Sequence, residues 1–263
     1  IYGVIFDLPM AFIEKKLAIE DSRNYFLLRH LFNFLIFFIS SIFFYLILRK
    51  RFSKKLSMLG FLFLILSPRI FAESFYNIKD LIFLSFFVIS IFFAINFLDK
   101  PSYKNLFFSS LGCSFVISTK VVGIIVPFVI IVFFIFEIID NEKNLKKNIL
   151  KIIIFFILLV FFIIMFWPYL WNDPYVNFLN ALKTFSSHPW SGAIFYLGNY
   201  VSALNTPWHY PIVWILVTVP ILYLLLFLLG SVLILKKVSI RFINLSSKRG
   251  SNDVWKGNNE RMD

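Results

Sequence analysis

LIFLSFFVISIFFAINF, residues 81–97, runs for seventeen positions without a charged side chain or a proline. At 1.5 Å per residue such a helix is about 25 Å long, close to the hydrocarbon thickness of a bilayer. A surface helix of a soluble domain would interrupt the run with a polar face. The reading is a membrane span, and six further apolar runs surround it: 30–48, 56–67, 106–119, 121–138, 152–167 and 212–235. Those at 56–67 and 106–119 are short.

The whole chain has the same character. Of its 263 residues, 60% are hydrophobic, 21% aromatic and 15% charged, against roughly 45–50% apolar and about 25% charged in soluble domains. These proportions exclude a soluble globular domain. The 37 Phe accompany abundant Ile, Leu, Lys and Asn, a coding bias that gives phenylalanine density little functional weight. The single cysteine, Cys113, rules out an intrachain disulfide.

Loop charge orients the spans. Eighteen of the 26 Lys and Arg fall in 49–55, 99–105, 140–151 and the tail from Lys236, and eight fall in the alternate loops. Lys and Arg concentrate on the cytoplasmic side, so those loops and the C-terminus are expected in the cytoplasm. The net charge of +12 then reflects this bias and not a nucleic-acid footprint, since the basic residues flank membrane spans.

The expected fold is an all-α polytopic transmembrane bundle of about seven spans, with amphipathic interfacial helices on the outer side. It divides into an outer interfacial segment (1–29), a transmembrane bundle (30–167), an outer loop (168–210), a transmembrane helix (211–235) and a basic cytoplasmic tail (236–263). From Ile240 the tail is polar and expected to be disordered. In the outer loop, Asp173 then Pro174 reads as an N-cap and first helical position, and Tyr175, Phe178, Leu179, Leu182 and Phe185 recur at helical spacing. A second such helix is expected over 8–19, with Pro9 at its start. Five of the six tryptophans (Trp167, Trp171, Trp190, Trp208, Trp214) lie in or beside the outer loop, where an interfacial belt explains each one.

Ionisable residues near membrane depth point to function. Arg69, Glu73, Lys79 and Asp80 share the loop SPRIFAESFYNIKD, residues 67–80. They can neutralise one another as ion pairs, or hold an anionic headgroup beside a carboxylate. Lys120 adds a third cation at the same depth or snorkels to the interface. His188 and His209 suit hydrogen-bonding surface roles as well as ligand roles, and Trp190 and Trp208 can stack on a sugar or anchor in the belt.

The 67–80 loop, preceded by LGFLFLIL and followed by LIFLSFFVIS, resembles the second outer loop of the membrane-embedded GT-C glycosyltransferases. The nearer likeness is to the bacterial relatives of protein O-mannosyltransferases and of the aminoarabinose transferase. WPYLWNDPYVNFLNAL (167–182) and HPWSGAIFYLGNYVSALNTPWHYPIVWILVTVP (188–220) look like that group's periplasmic segment and re-entry helix, and YFLLRHLFNFL (25–35) fits the approach to the helix after the first loop.

The resemblance implies an enzyme of the bacterial inner membrane that takes a sugar from a polyprenyl-phosphate donor. The sugar passes with inversion to a glycolipid, glycan or protein acceptor at the outer face. Residue by residue, Arg69 matches the family's basic position in the 67–80 loop, for donor phosphate. Asp80 matches the acidic residue opening the next helix, a catalytic carboxylate that orients the acceptor or a metal. Glu73, from its own place in the loop, is read as the other catalytic carboxylate. On their own chemistry, Lys79 and Lys120 join Arg69 as candidates for donor phosphate, and His188, Trp190, Trp208 and His209 are candidates for contact with sugar or acceptor. Cations or a divalent metal would stabilise the leaving phosphate, in a cavity open to the outer side with room for a prenyl chain. In the family the principal acid sits in the first outer loop as Asp-Glu. Residues 1–29 contain Asp7, Glu14, Glu20 and Asp21 but no such pair. With Ile1 in place of Met and no leader pattern, the expectation is a fragment whose catalytic loop lies upstream. A non-catalytic membrane subunit and a lipid or sugar transporter are the alternatives.

Overall fold

The structure is a computed structural model and describes residues 3–140, 145–186 and 191–247. Two compact units emerge among the described residues, one running up to residue 182 and the other from residue 183.

The first unit is a helix bundle. A short helix, α1 (Asp7–Lys16), precedes the long α2 (Ser22–Arg49), whose N-cap Asp21 accepts from the Arg23 amide at 3.1 Å. This helix starts eight residues before the expected span, because the cap and not hydropathy sets its beginning. Next come α3 (Lys54–Ile65) and α4 (Pro68–Tyr76), bent by 59° at Ser67 and Pro68. Proline has no amide hydrogen and drives the residue before it into extended geometry, which breaks the helix there. Asn33 of α2, fully buried, donates from Nδ2 to the Ser74 carbonyl at 2.8 Å and ties α4 to the bundle.

The bundle centre is formed by α5 (Asp80–Asp99) and α6 (Tyr103–Thr119), with α2 on one side and α8 (Leu145–Phe166) on the other. Between α6 and α8, a 3-10 turn at Val121–Ile124 leads into α7 (Ile125–Asp140). Small side chains let α5 and α6 approach closely. A Cβ on Gly112 would stand 3.2 Å from the Ser90 Cα, and Ser90 Oγ donates to Cys113 Sγ at 3.5 Å. The buried hydroxyls of Ser85, Ser110 and Ser114 each bond a carbonyl of their own helix, so at these three positions a small side chain is buried without orphaning its polar group. Phenylalanine supplies the bulk: Phe97 of α5 stacks on Phe134 of α7 at 4.9 Å and on Phe155 of α8 at 5.9 Å. A composition that carried no functional signal therefore carries packing.

Contacts fix the two ends of this unit. At one end Lys50 Nζ meets Asp99 Oδ2 at 2.7 Å, joining the C-termini of α2 and α5. At the other end the Gly3 amide donates to the Ser118 carbonyl at 2.8 Å and the Val4 amide to the Phe166 carbonyl at 3.1 Å. These two bonds satisfy carbonyls at the C-termini of α6 and α8 that no helical amide can reach. Asp80 and Lys120 lie at this second end.

After α8, a turn at Pro168–Leu170 leads into α9 (Pro174–Ser186), where Asp173 Oδ1 accepts from the Val176 amide at 3.3 Å. Trp167 departs from the expected belt. It is fully buried and packs edge-on to Phe178 at 6.1 Å, whereas Trp171 is exposed.

The second unit holds an element absent from the sequence reading, an antiparallel hairpin of β1 (Ala193–Tyr196) and β2 (Asn199–Ser202). The expected span 212–235 is replaced by α10 (Tyr210–Thr218) and α11 (Ile221–Ser247). Pro220 interrupts it, and Val219 before it is extended (φ −93°, ψ 131°).

Among the described residues four helices are long and apolar enough to cross a membrane: α2, α5, α8 and α11. A fifth counts if the bent α3 and α4 form one span. This is short of the seven expected, because α6 has only 17 residues, α7 is a shorter apolar helix behind a 3-10 turn, and the helix before Pro68 is broken. The molecule is an all-α, multi-pass integral membrane protein.

Candidate functional site

The loop between α3 and α5 organises itself around an asparagine. Proline at the first position starts α4, and four residues along its surface Arg69 Nε donates to Glu73 Oε1 at 3.0 Å. The helix ends at Asn77, whose amide donates to the Glu73 carbonyl at 2.8 Å. The Asn77 side chain then works in two directions. Its Oδ1 accepts from the Lys79 amide (3.2 Å) and the Asp80 amide (2.9 Å), capping the start of α5. Its Nδ2 donates to Glu73 Oε2 at 3.0 Å and to Asp80 Oδ2 at 3.1 Å. One amide thereby spaces two carboxylates that would otherwise repel.

The second half of the site comes from α6. That helix ends at Lys120, which turns into extended backbone (φ −146°, ψ 132°). Its Nζ forms an ion pair with Asp80 Oδ1 and sits over the Phe83 ring at 5.6 Å. The result is a continuous polar chain, Arg69 to Glu73 to Asn77 to Asp80 to Lys120. Asp80 is 57% exposed at its side chain and Lys120 31%, so the group is open for a ligand to enter.

The arrangement can exchange partners. Arg69 and Lys120 each already hold a carboxylate, and a phosphate entering the site would compete for both cations. Donating Arg69 or Lys120 to the phosphate would release Glu73 or Asp80 for a proton or a hydroxyl. Lys79 belongs to the group through its backbone amide. Among the described residues, no three His, Cys, Asp or Glu side chains gather into a set that could hold a metal ion, and no step is assigned to one.

A second charged cluster stands at the same end of the bundle. Arg29 on α2 donates from Nε to Glu14 Oε1 (2.7 Å), from Nη2 to Glu14 Oε2 (3.3 Å) and from Nη1 to Asp7 Oδ1 (2.8 Å), and lies over the Tyr25 ring at 4.5 Å. Phe6 and Met10 beside these acids pack on Ile82, and Ile78 joins them, which places α1 against the start of α5.

An apolar groove at this end is lined by Val160, Ile163, Ile164, Leu170, Pro174, Tyr175 and Phe178. It runs under α9 along α8, and Arg69, Asp80 and Lys120 do not line it.

Of the residues singled out by sequence, Arg69, Glu73, Asp80 and Lys120 come together. Trp208 and His209 belong to the second unit and pack edge-on at 5.6 Å, with Trp208 83% exposed. His209 Nδ1 and Tyr196 Oη are hydrogen-bonded at 2.6 Å. His188 and Trp190 lie outside the described residues. Sequence reading missed Asn77, Tyr196 and the Arg29 cluster. Asn77 had a signal, since an asparagine three residues before the acid that opens a helix is a capping arrangement.

No curated protein and no solved structure matches the chain. Residues 20–167 match the family described as dolichyl-phosphate-mannose-protein mannosyltransferase. This stretch runs from the residue before the α2 cap to the tryptophan after α8, and contains every member of the Asp80 chain. With an apolar helix bundle, a carboxylate pair and cations at one of its ends, the chain belongs to the dolichyl-phosphate-mannose-protein mannosyltransferase family of membrane glycosyltransferases.

Proposed function

We propose that the protein transfers a sugar from a polyprenyl-phosphate donor to an acceptor hydroxyl at the outer face of a bacterial inner membrane, with inversion at the anomeric carbon. The observation that carries this reading is the Asp80–Lys120 pair. It sets a carboxylate and a cation from two different helices side by side at one end of the bundle.

In the reaction, the acceptor oxygen attacks the anomeric carbon as the bond to the phosphate oxygen breaks. The acceptor's proton passes to a carboxylate, and the polyprenyl phosphate departs with the bonding electrons. Arg69 and Lys120 face the phosphate and stabilise its growing charge, with Lys79 as a further cation. Asp80, once Lys120 turns to the phosphate, orients the acceptor hydroxyl, and Glu73 holds Arg69 in place. The apolar groove beneath α9 suits the first isoprene units of the donor. The charge bias of the Lys- and Arg-rich loops 49–55 and 99–105 supports a cytoplasmic side there and an outer side at the Asp80 end.

The test is transfer from a labelled polyprenyl-phosphate sugar, mannose first, by the protein in vesicles. Loss of turnover in both Asp80→Asn and Arg69→Ala, with folded protein in each case, supports the reading. Unchanged turnover in both overturns the site.

A further inference from the structure

The β1–β2 hairpin has the wrong surface for water. Its register pairs Phe195 with Tyr200 and Ile194 with Val201. Side chains alternate across a strand, so Phe195 and Tyr200 share one face, and their rings lie 5.3 Å apart. That face is open: Phe195 is 61% exposed and Tyr200 80%. The other face carries Ile194, Val201 and Tyr196, which are covered to different degrees, Tyr196 almost completely.

The turn adds a stronger observation. Leu197 (φ 50°) and Gly198 (φ 86°) are its two central residues, both left-handed. Such turns favour Asn-Gly or Asp-Gly, since a branched aliphatic side chain is strained there. Leu197 nevertheless occupies the first position and is 69% exposed. An apolar side chain is thus held at the tip where local energetics and water would both select a small polar one.

The hairpin is also tied to an apolar element. Tyr196 bonds His209 and its ring meets Tyr210 at 5.1 Å, and Tyr210 stacks on Trp214 at 5.9 Å. These rings fix the hairpin to the start of α10. From residue 184 to residue 235 the sequence contains no Asp, Glu, Lys or Arg. The hairpin therefore lies in one uncharged, aromatic-rich stretch that continues into α11, a helix long and apolar enough to span a bilayer. A protein-recognition surface would carry a polar, charged rim. Uncharged aromatics beside a span match the bilayer interface, where a ring lies against acyl chains and its polar edge among headgroups.

We propose that the hairpin is a membrane-contacting device: Leu197 at its tip, with Phe195 and Tyr200 behind it, dips into the headgroup–acyl boundary of the bilayer. The occupant of this face is phospholipid. This contact is independent of the transfer reaction and stands whether or not the Asp80 site is catalytic.

The test uses the full chain in vesicles of phosphatidylethanolamine and phosphatidylglycerol. An environment-sensitive fluorophore is placed on Leu197→Cys, with Lys54→Cys at the exposed, charged start of α3 as the aqueous reference. Cys113 is fully buried and does not compete for label. With the tip roughly 5–10 Å below the surface, quenching by lipid-borne nitroxide should be at least about twofold stronger at 197 than at 54, with blue-shifted emission. Quenching equal to the reference overturns the proposal, as does a blue shift without lipid quenching, which would mean the tip is covered by protein. A second label, on Asn199→Cys, guards against a disturbed turn. Adding Leu197→Asp should cut its lipid quenching to the reference level, and unchanged quenching again overturns the proposal.

Discussion

Arg29 Nε and Glu14 Oε1 stand 2.7 Å apart, and each side chain is only 11% exposed. The pair clamps α1 onto α2 at the end of the bundle that carries Asp80. Removing one partner strands a mostly buried charge, which costs about 3–5 kcal/mol where burial is complete. Arg29→Met should therefore lower stability by about 3 kcal/mol, and Arg29→Met with Glu14→Met together should recover most of the loss. Thermal unfolding in detergent reads both. Additive losses in the double variant would show that the two side chains act separately.

Asn77 joins the two carboxylates and caps α5. Asn77→Ala removes the cap, at about 1 kcal/mol of stability, and leaves Glu73 and Asp80 unspaced. Turnover should drop by about 10- to 100-fold, because small displacements of a positioning group are costly. Asn77→Asp keeps the acceptor oxygen but adds charge between two acids, so it should retain the cap and still lose turnover. Equal activity in Asn77→Asp and the native protein would remove Asn77 from the site.

How far this could be read beforehand depends on the range of each interaction. Hydropathy is local, and it located α2, α5 and α8, while the adjacent Asp173 and Pro174 located the cap of α9. Breaks were less legible. Residues 67–80 read as a loop, yet α4 follows at Pro68, and Pro220 lay unremarked inside an apolar run. In the site, Arg69, Glu73 and Asp80 are close in sequence and were visible together. Lys120 pairs with Asp80 across 40 positions, and only the antiparallel packing of α5 and α6 makes that neighbour. The Arg29 cluster was hidden for the same reason, its acids lying on one helix and its cation on the next. The hairpin was missed because its turn is Leu-Gly, where Asn-Gly or Asp-Gly would have announced it.

Gly123 and Gly230 should respond oppositely to alanine. A Cβ on Gly123 would fall 2.4 Å from Val116 Cγ1, 2.7 Å from the Val116 carbonyl carbon and 2.9 Å from the Ile117 nitrogen. Two of these are backbone atoms of α6 and cannot turn aside, so Gly123→Ala should cost about 1–3 kcal/mol. It should also weaken the site, since the turn it distorts begins next to Lys120. Gly230 has nothing within 4 Å and lies inside α11, where alanine is favoured by up to about 1 kcal/mol. Parallel melts of the two variants check the contrast, and a Gly123→Ala protein as stable as the native one would mean the turn is looser than its contacts.

The Asp80–Lys120 pair makes a prediction that separates binding from turnover. In the resting protein Lys120 is held by Asp80, so a donor phosphate gains that cation only by breaking the pair. Exposed pairs of this kind are worth up to about 1 kcal/mol, or roughly fivefold in an equilibrium. Asp80→Asn should then bind a polyprenyl-phosphate headgroup a few-fold more tightly than the native protein while transferring no sugar. Lys120→Gln should do the reverse, binding the headgroup more weakly and losing kcat/KM by about 100-fold or more, because the leaving phosphate also loses its counter-charge. Headgroup titration of both variants beside a transfer assay distinguishes the cases. Weaker binding in Asp80→Asn would show that the carboxylate helps to seat the donor, and partner exchange at Lys120 would be abandoned.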